Sequence, residues 1–189
     1  ASLVYTGNSN TSNKIVNTAT VTSAEADGIL DNNTASVELN VVSMQFTLKP
    51  GWNLFSLPLV PGNSSTVSVV GGITQVAYVY GYDAETGTWL WWSPPNTGTL
   101  TNMTDGWGYW IYLTGSINKN ITITGTELPP VIAGSQPPVP PSYDVFVGWN
   151  LLGFKSTTAK VENVYLAGIA GEYTKIYGYA DGAYFNVVG

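Results

Sequence analysis

Cysteine, histidine and arginine are all missing from this 189-residue chain. Without cysteine it has no disulfide framework, thiolate nucleophile or iron–sulfur ligand set. Without histidine it lacks the usual neutral-pH base and the commonest zinc ligand. Without arginine it lacks the bidentate clamp for carboxylate and phosphate. Charge is scarce as well, at 10% of residues, with a net charge of −6. The lysines (14, 49, 119, 155, 160 and 175) are scattered, so a phosphate backbone would be repelled and no nucleic-acid partner is expected. No apolar run approaches the roughly 18 residues that suggest a membrane span, and no basic segment followed by an apolar one opens the chain. Catalysis is left with Asp/Glu, Ser, Lys and Tyr; no catalytic residue, metal ligand or cofactor is expected, and the chain reads as a non-enzyme.

What is present is apolar, aromatic and repeated. Hydrophobic residues make up 44% of the chain, too many for a disordered polymer. Ser, Thr, Asn and Gly supply the polar remainder, which suits β-structure with hydroxyl and amide side chains facing water. Gly51-Trp52-Asn53-Leu54 returns as Gly148-Trp149-Asn150-Leu151, and Tyr80-Gly81-Tyr82 returns as Tyr177-Gly178-Tyr179 at the same spacing. Two copies of one module are therefore expected. The second has no equivalent of Gly108–Tyr112 or of the Asn120–Thr124 strand, and reads as incomplete.

Residues 1–46 form a first unit. Lys14–Ser23 is β-branched and alternating, Ala24–Asn33 is rich in turn formers, and Ala35, Val37, Leu39 and Val41 alternate with polar residues. Two strands cannot bury a core, so these must pair with something else. Residues 47–128 make the first full module. Strands are expected over Trp52–Pro58, Gln75–Tyr82, Thr88–Ser93, Tyr109–Leu113 and Asn120–Thr124, with Ser65–Val70 as a helical or irregular crossover. Trp52, Tyr80 and Tyr82 are expected to fill a core; Gly51 and Gly81 are expected to supply positive φ or close strand approach. Residues 128–142 hold six of the eleven prolines, and the stretch 129–142 reads as a semi-rigid spacer of about 3 Å per residue. Residues 143–189 are the second, partial copy. The fold class is all-β: tandem small sandwich modules. Both ends read as strands of unfinished domains, which suggests a piece of a longer precursor.

Several residues are candidates for function. Five Asn-x-Ser/Thr acceptor patterns occur, at Asn10, Asn32, Asn63, Asn102 and Asn120, where chance in so polar a chain gives roughly three. The first four fall in expected loops, where a glycan can be attached; the plain alternative is polar surface. Trp89 and Trp91 share one face of a strand and Trp92 takes the other. Burial in a core or between subunits is the favoured role for this cluster, with stacking on sugar rings as the rival. Asp27, Asp31, Asn32 and Asn33 gather oxygens but lack the spacing of a calcium loop. Asp83, Glu85 and Asp105 read as turn residues.

Two resemblances bear on role. "NTATVTS" followed by "DNNTASVELNVV" (residues 14–42) resembles the end of the domain-of-unknown-function-eleven repeat, an Ig-like sandwich strung along bacterial and archaeal surface proteins. "GWNLFSLPL…YGYDAETGTW…DGWGYWIYL" resembles a module of prokaryotic surface, S-layer-associated and filament proteins. The resemblances imply an Ig-like fold at the cell surface and no particular reaction. With the incomplete modules, they lead to an expected structural subunit of an extracellular filament, sheath or surface layer. It would join copies of itself head to tail by strand addition, with residues 14–22 or 34–42 as donor and the second module as acceptor. N-linked glycans or polysaccharide are further expected partners. An adhesive carbohydrate-binding module and a monomeric stalk are the alternatives.

Overall fold

Period-2 alternation decides this fold, because a strand with one apolar row must lay that row against another sheet. The computed structural model describes residues 2–10, 14–22, 24–127, 142–157 and 159–188. It has two five-stranded antiparallel sheets. The first sheet contains β1 (Ser2–Asn10), β2 (Lys14–Thr22), β3 (Thr34–Leu48), β5 (Leu59–Pro61) and β10 (Lys119–Glu127), in the order β1-β2-β3-β10-β5. The second contains β4 (Gly51–Ser56), β6 (Val76–Asp83), β7 (Thr88–Ser93), β8 (Thr97–Gly98) and β9 (Gly108–Leu113), in the order β4-β9-β6-β7-β8. β3, β5 and β10 of the first pack against the face of the second.

β3 joins the N-terminal strands to the sandwich. Its first half, Thr34–Asn40, pairs with β2, and its second half, Val41–Leu48, pairs with β10. The strand therefore runs unbroken through residue 46, where the sequence places a boundary. The expected strand pair is a triplet: β1 lies alongside β2, with Ser2 opposite Thr22 and Asn10 opposite Lys14. Pro61 sits in an edge strand, where a residue without an N–H is tolerated.

The core lies between the sheets. Leu48, Ile121 and Ile123 from the first face Phe55, Val79, Trp92, Tyr109, Ile111 and Leu113 from the second. Phe46 meets Phe55 edge to face at 5.4 Å. Each fully buried side chain of this size contributes about 1.5–3 kcal/mol. The crossover, α1 (Thr66–Val70), is a single helical turn that buries Thr66 and Val70; the Thr66 hydroxyl donates to Leu100 O at 2.8 Å.

The sandwich has unlike outer faces. On the first sheet, Ser43 meets Thr124 at 2.7 Å, Thr47 donates to Asn120 at 3.0 Å, and Asn120 donates to Gln45 at 3.3 Å. That is the hydroxyl and amide surface the composition suggests. The outer face of the second sheet is aromatic. Trp52, Tyr80 and Tyr82 lie there rather than in the core, a correction to the sequence reading. Gly81 explains the placement of its neighbours: it points inward, and an added Cβ would come within 3.1 Å of the buried Tyr109 ring.

The second copy is a smaller structure. It holds α2 (Glu162–Tyr165) and one hairpin, β11 (Ile176–Ala180) with β12 (Ala183–Val188). Asp181 and Gly182 have φ of 52° and 82°, the paired positive values of a two-residue hairpin turn. Residues 129–141 of the expected spacer lie outside the described residues.

Candidate functional site

Four neighbouring strands build an aromatic wall. Trp52 comes from β4, Trp110 from β9, Tyr80 from β6 and Trp89 from β7, all on the outer face. The Trp52 ring lies 5.9 Å from Tyr80, 6.4 Å from Trp110 and 5.0 Å from Tyr112. The β11–β12 hairpin stands against this wall. Tyr179 meets Trp110 at 4.7 Å and 78°, and Tyr184 meets it at 5.9 Å and 70°. Between wall and hairpin is an open cleft of about 560 Å³, within the roughly 300–1,000 Å³ of small-molecule sites.

The tryptophan cluster divides as its alternation predicts. Trp92 is 2% exposed in the core, and its indole N–H donates to Asn96 at 2.9 Å. Trp89 and Trp91 are 52% and 37% exposed on the outer face. Trp89 lines the cleft; Trp91 does not. Trp110, Tyr179, Gly182 and Tyr184 complete the site and were not singled out from sequence. The available signal was the double alternation of Gly108–Leu113, where Trp110 and Tyr112 form a second large apolar row beside Tyr109, Ile111 and Leu113.

The second copy repeats two local features of the first. The Asn150 amide closes a turn onto Phe146, accepting from its N–H at 2.9 Å and donating to its carbonyl at 2.7 Å. Trp149 stands 6.0 Å from Tyr177, as Trp52 stands 5.9 Å from Tyr80. The pairing around these residues differs. β6 is hydrogen-bonded on both edges, to β7 and β9, whereas among the described residues β11 pairs with β12 alone. β11 packs against β4 with no backbone hydrogen bond between them among the described residues.

The two copies also touch at a polar seam. Gly108 N–H donates to Leu151 O and Gly153 N–H to Gly106 O, both at 2.8 Å. Lys155 holds this seam: its ammonium lies 3.7 Å from the Asp105 carboxylate, donates to Ser142 O at 2.9 Å, and sits 5.0 Å from the Tyr143 ring. The Tyr143 and Tyr165 hydroxyls meet at 2.7 Å, and Tyr143 donates to Gly153 O at 2.8 Å. Burial raises the pKa of both above the usual phenol value.

No family model, curated protein or solved structure matches this chain.

The remaining candidates are local. Asn10, expected in a loop, is instead the last residue of β1, paired opposite Lys14, and Asn32 lies in a short 3-10 helix, Leu30–Asn32. Asn63, Asn102 and Asn120 are exposed. Asn63 accepts from Ser65 N–H at 3.0 Å, and Asn120 is on a strand, as expected. Asp27 accepts from Ile29 N–H at 2.9 Å; that bond and one from Asn33 lower its pKa. Among the described residues no three acidic side chains gather as a metal site. Asp83 takes the Glu85 N–H at 3.0 Å and the Thr86 hydroxyl at 2.8 Å, stiffening the β6–β7 loop. No helix is long and apolar enough to cross a membrane among the described residues.

Proposed function

We propose that the chain is a structural subunit of an extracellular assembly, a filament, sheath or surface layer, in which copies join head to tail by strand addition. One observation carries the reading: among the described residues β11 has a single paired edge where its counterpart β6 has two. An open edge is a row of unmet donors and acceptors that another strand can complete. The side chains fit the same reading, since β11 repeats the Tyr-Gly-Tyr of β6, and β6 receives β9 on that edge.

Of the two sequence-expected donors, Lys14–Thr22 is already paired on both edges, to β1 and β3. Among the described residues Thr34–Asn40 pairs only with β2, and no strand pairs with the outer edge of β1. The N-terminal arm of one copy therefore offers the edge, and the second module of the next receives it. Contacts between unlike ends are heterologous and extend as a fibre when the rotation does not close. Exposed asparagine acceptor patterns and a low-charge surface suit a role outside the cell. No chemistry is assigned to the chain in this role.

Sedimentation velocity and negative-stain electron microscopy of the full chain over rising concentration test the reading. Polymers that shorten on adding a peptide of residues 107–114, the β9 sequence, are the expected result. A chain that sediments as a monomer at every concentration would overturn it.

A further inference from the structure

The aromatic cleft has a chemistry that polymer contacts alone do not require. Its floor is Trp52, Tyr80, Trp89 and Trp110; one wall is the hairpin, through Tyr179 and Tyr184. The rings meet edge to face or tilted, between 49° and 89°, so several present open π faces. Trp52, Trp89 and Tyr184 are exposed. Among the described residues, the hydroxyls of Tyr80, Tyr179 and Tyr184 and the indole N–H groups of Trp52, Trp89 and Trp110 form no hydrogen bond. Six polar groups thus edge an aromatic surface and face the cleft without a partner from the chain among the described residues.

The rim is electrically quiet. Among the described residues no charged side chain lines the cleft, and beside it Lys49 is ion-paired with Asp181, next to Gly182. A charged ligand would find no counter-ion there. A purely apolar ligand would strand the hydroxyl and indole donors. A pyranose ring meets both conditions: its C–H face carries slight positive charge and stacks on the negative face of an aromatic ring, and its hydroxyls reach the ring edges.

We propose that this cleft binds a neutral pyranose oligosaccharide. Both copies contribute to it, so the site exists only when the hairpin of the second copy stands against the sheet of the first. The inference does not depend on polymer formation.

Titration calorimetry and tryptophan fluorescence on the full chain provide the test, with cellohexaose, xylohexaose, mannohexaose and laminarihexaose as neutral probes. Polygalacturonate serves as the charged probe, and a peptide of residues 135–141 (Ser-Gln-Pro-Pro-Val-Pro-Pro) as the proline-rich one. Saturable binding to at least one neutral hexasaccharide is expected, with a shift in emission. Trp89→Ala and Tyr184→Ala should each weaken it at least about fivefold, the loss typical of a central aromatic contact. Trp91→Ala, on the same face outside the cleft, should leave it unchanged. Failure of all four neutral sugars to saturate would overturn the proposal. So would equal binding by Trp89→Ala, binding of the peptide alone, or Trp89-dependent association of copies without sugar.

Discussion

Asn53 and Asn150 close the same turn with the same three hydrogen bonds. Asn53 accepts from Lys49 N–H at 2.8 Å and donates to the carbonyls of Lys49 at 2.8 Å and Gly51 at 3.1 Å. Asn150 does so with Phe146 at 2.9 and 2.7 Å and with Gly148 at 3.1 Å. The glycines hold φ of 89° and 105°, values that L side chains adopt only with strain. In the first copy the amide also approaches Ile111 O on β9 at 3.4 Å. Asn53→Ala should therefore cost about 1–3 kcal/mol in denaturant unfolding, by leaving backbone groups unpaired. Asn150→Ala should cost less, since its turn is not pinned to a third strand.

The two faces of β7 should respond oppositely to truncation. Trp92→Ala empties a core site and should destabilise by about 3–5 kcal/mol. Trp89→Ala should change stability by no more than about 0.5 kcal/mol, as surface changes do. Chemical denaturation of both variants checks this, and acrylamide should quench Trp89 and Trp91 while sparing Trp92.

Lys155 couples the copies. Its methylene chain lies over Gly106, whose φ is 77°, and its ammonium bridges Asp105 and the Ser142 carbonyl. Lys155→Ala should lower the melting temperature of the second copy first, splitting a single calorimetric transition into two, at a cost of about 1 kcal/mol. One unsplit transition at the wild-type temperature would show that the seam holds without it.

Alkali should unfold the protein through buried phenols. Burial pushes the hydroxyls of Tyr109, Tyr143 and Tyr165 above the usual value of 10.0. Below pH 10 these groups are protonated in folded and unfolded chains alike, and their contribution is intact. Above it the unfolded chain releases protons that the folded chain retains, so stability falls as pH rises. A spectrophotometric titration should show these buried phenols ionising late, together with loss of structure.

The strands of the first module were legible because alternation and turn residues coincide there. Thr88–Ser93 was read to the residue, and Asp83–Gly87 marked its hairpin loop. The inward face was harder to read. In β6 and β9 both rows are apolar, so period 2 gives alternation without saying which row is buried, and the size of Trp52, Tyr80 and Tyr82 points them inward when they in fact face out. The buried Gly81 was the usable sign, since a residue without a side chain leaves room for Tyr109 behind it. β1 escaped notice because Thr6-Gly7-Asn8-Ser9-Asn10 carries little strand propensity; its pairing with β2 defines it. The cleft was half legible: Trp89 announced itself, while Tyr179 and Tyr184 gained meaning only from the hairpin's position.

Hydrogen exchange at β11 tests the open edge most directly. In the isolated chain, the outward amides of Ile176–Ala180 should exchange far faster than those of Val79–Asp83 in β6, and should become protected when the residue 107–114 peptide is added or copies assemble. Equal protection of the two strands in the monomer, unchanged by peptide, would contradict strand addition.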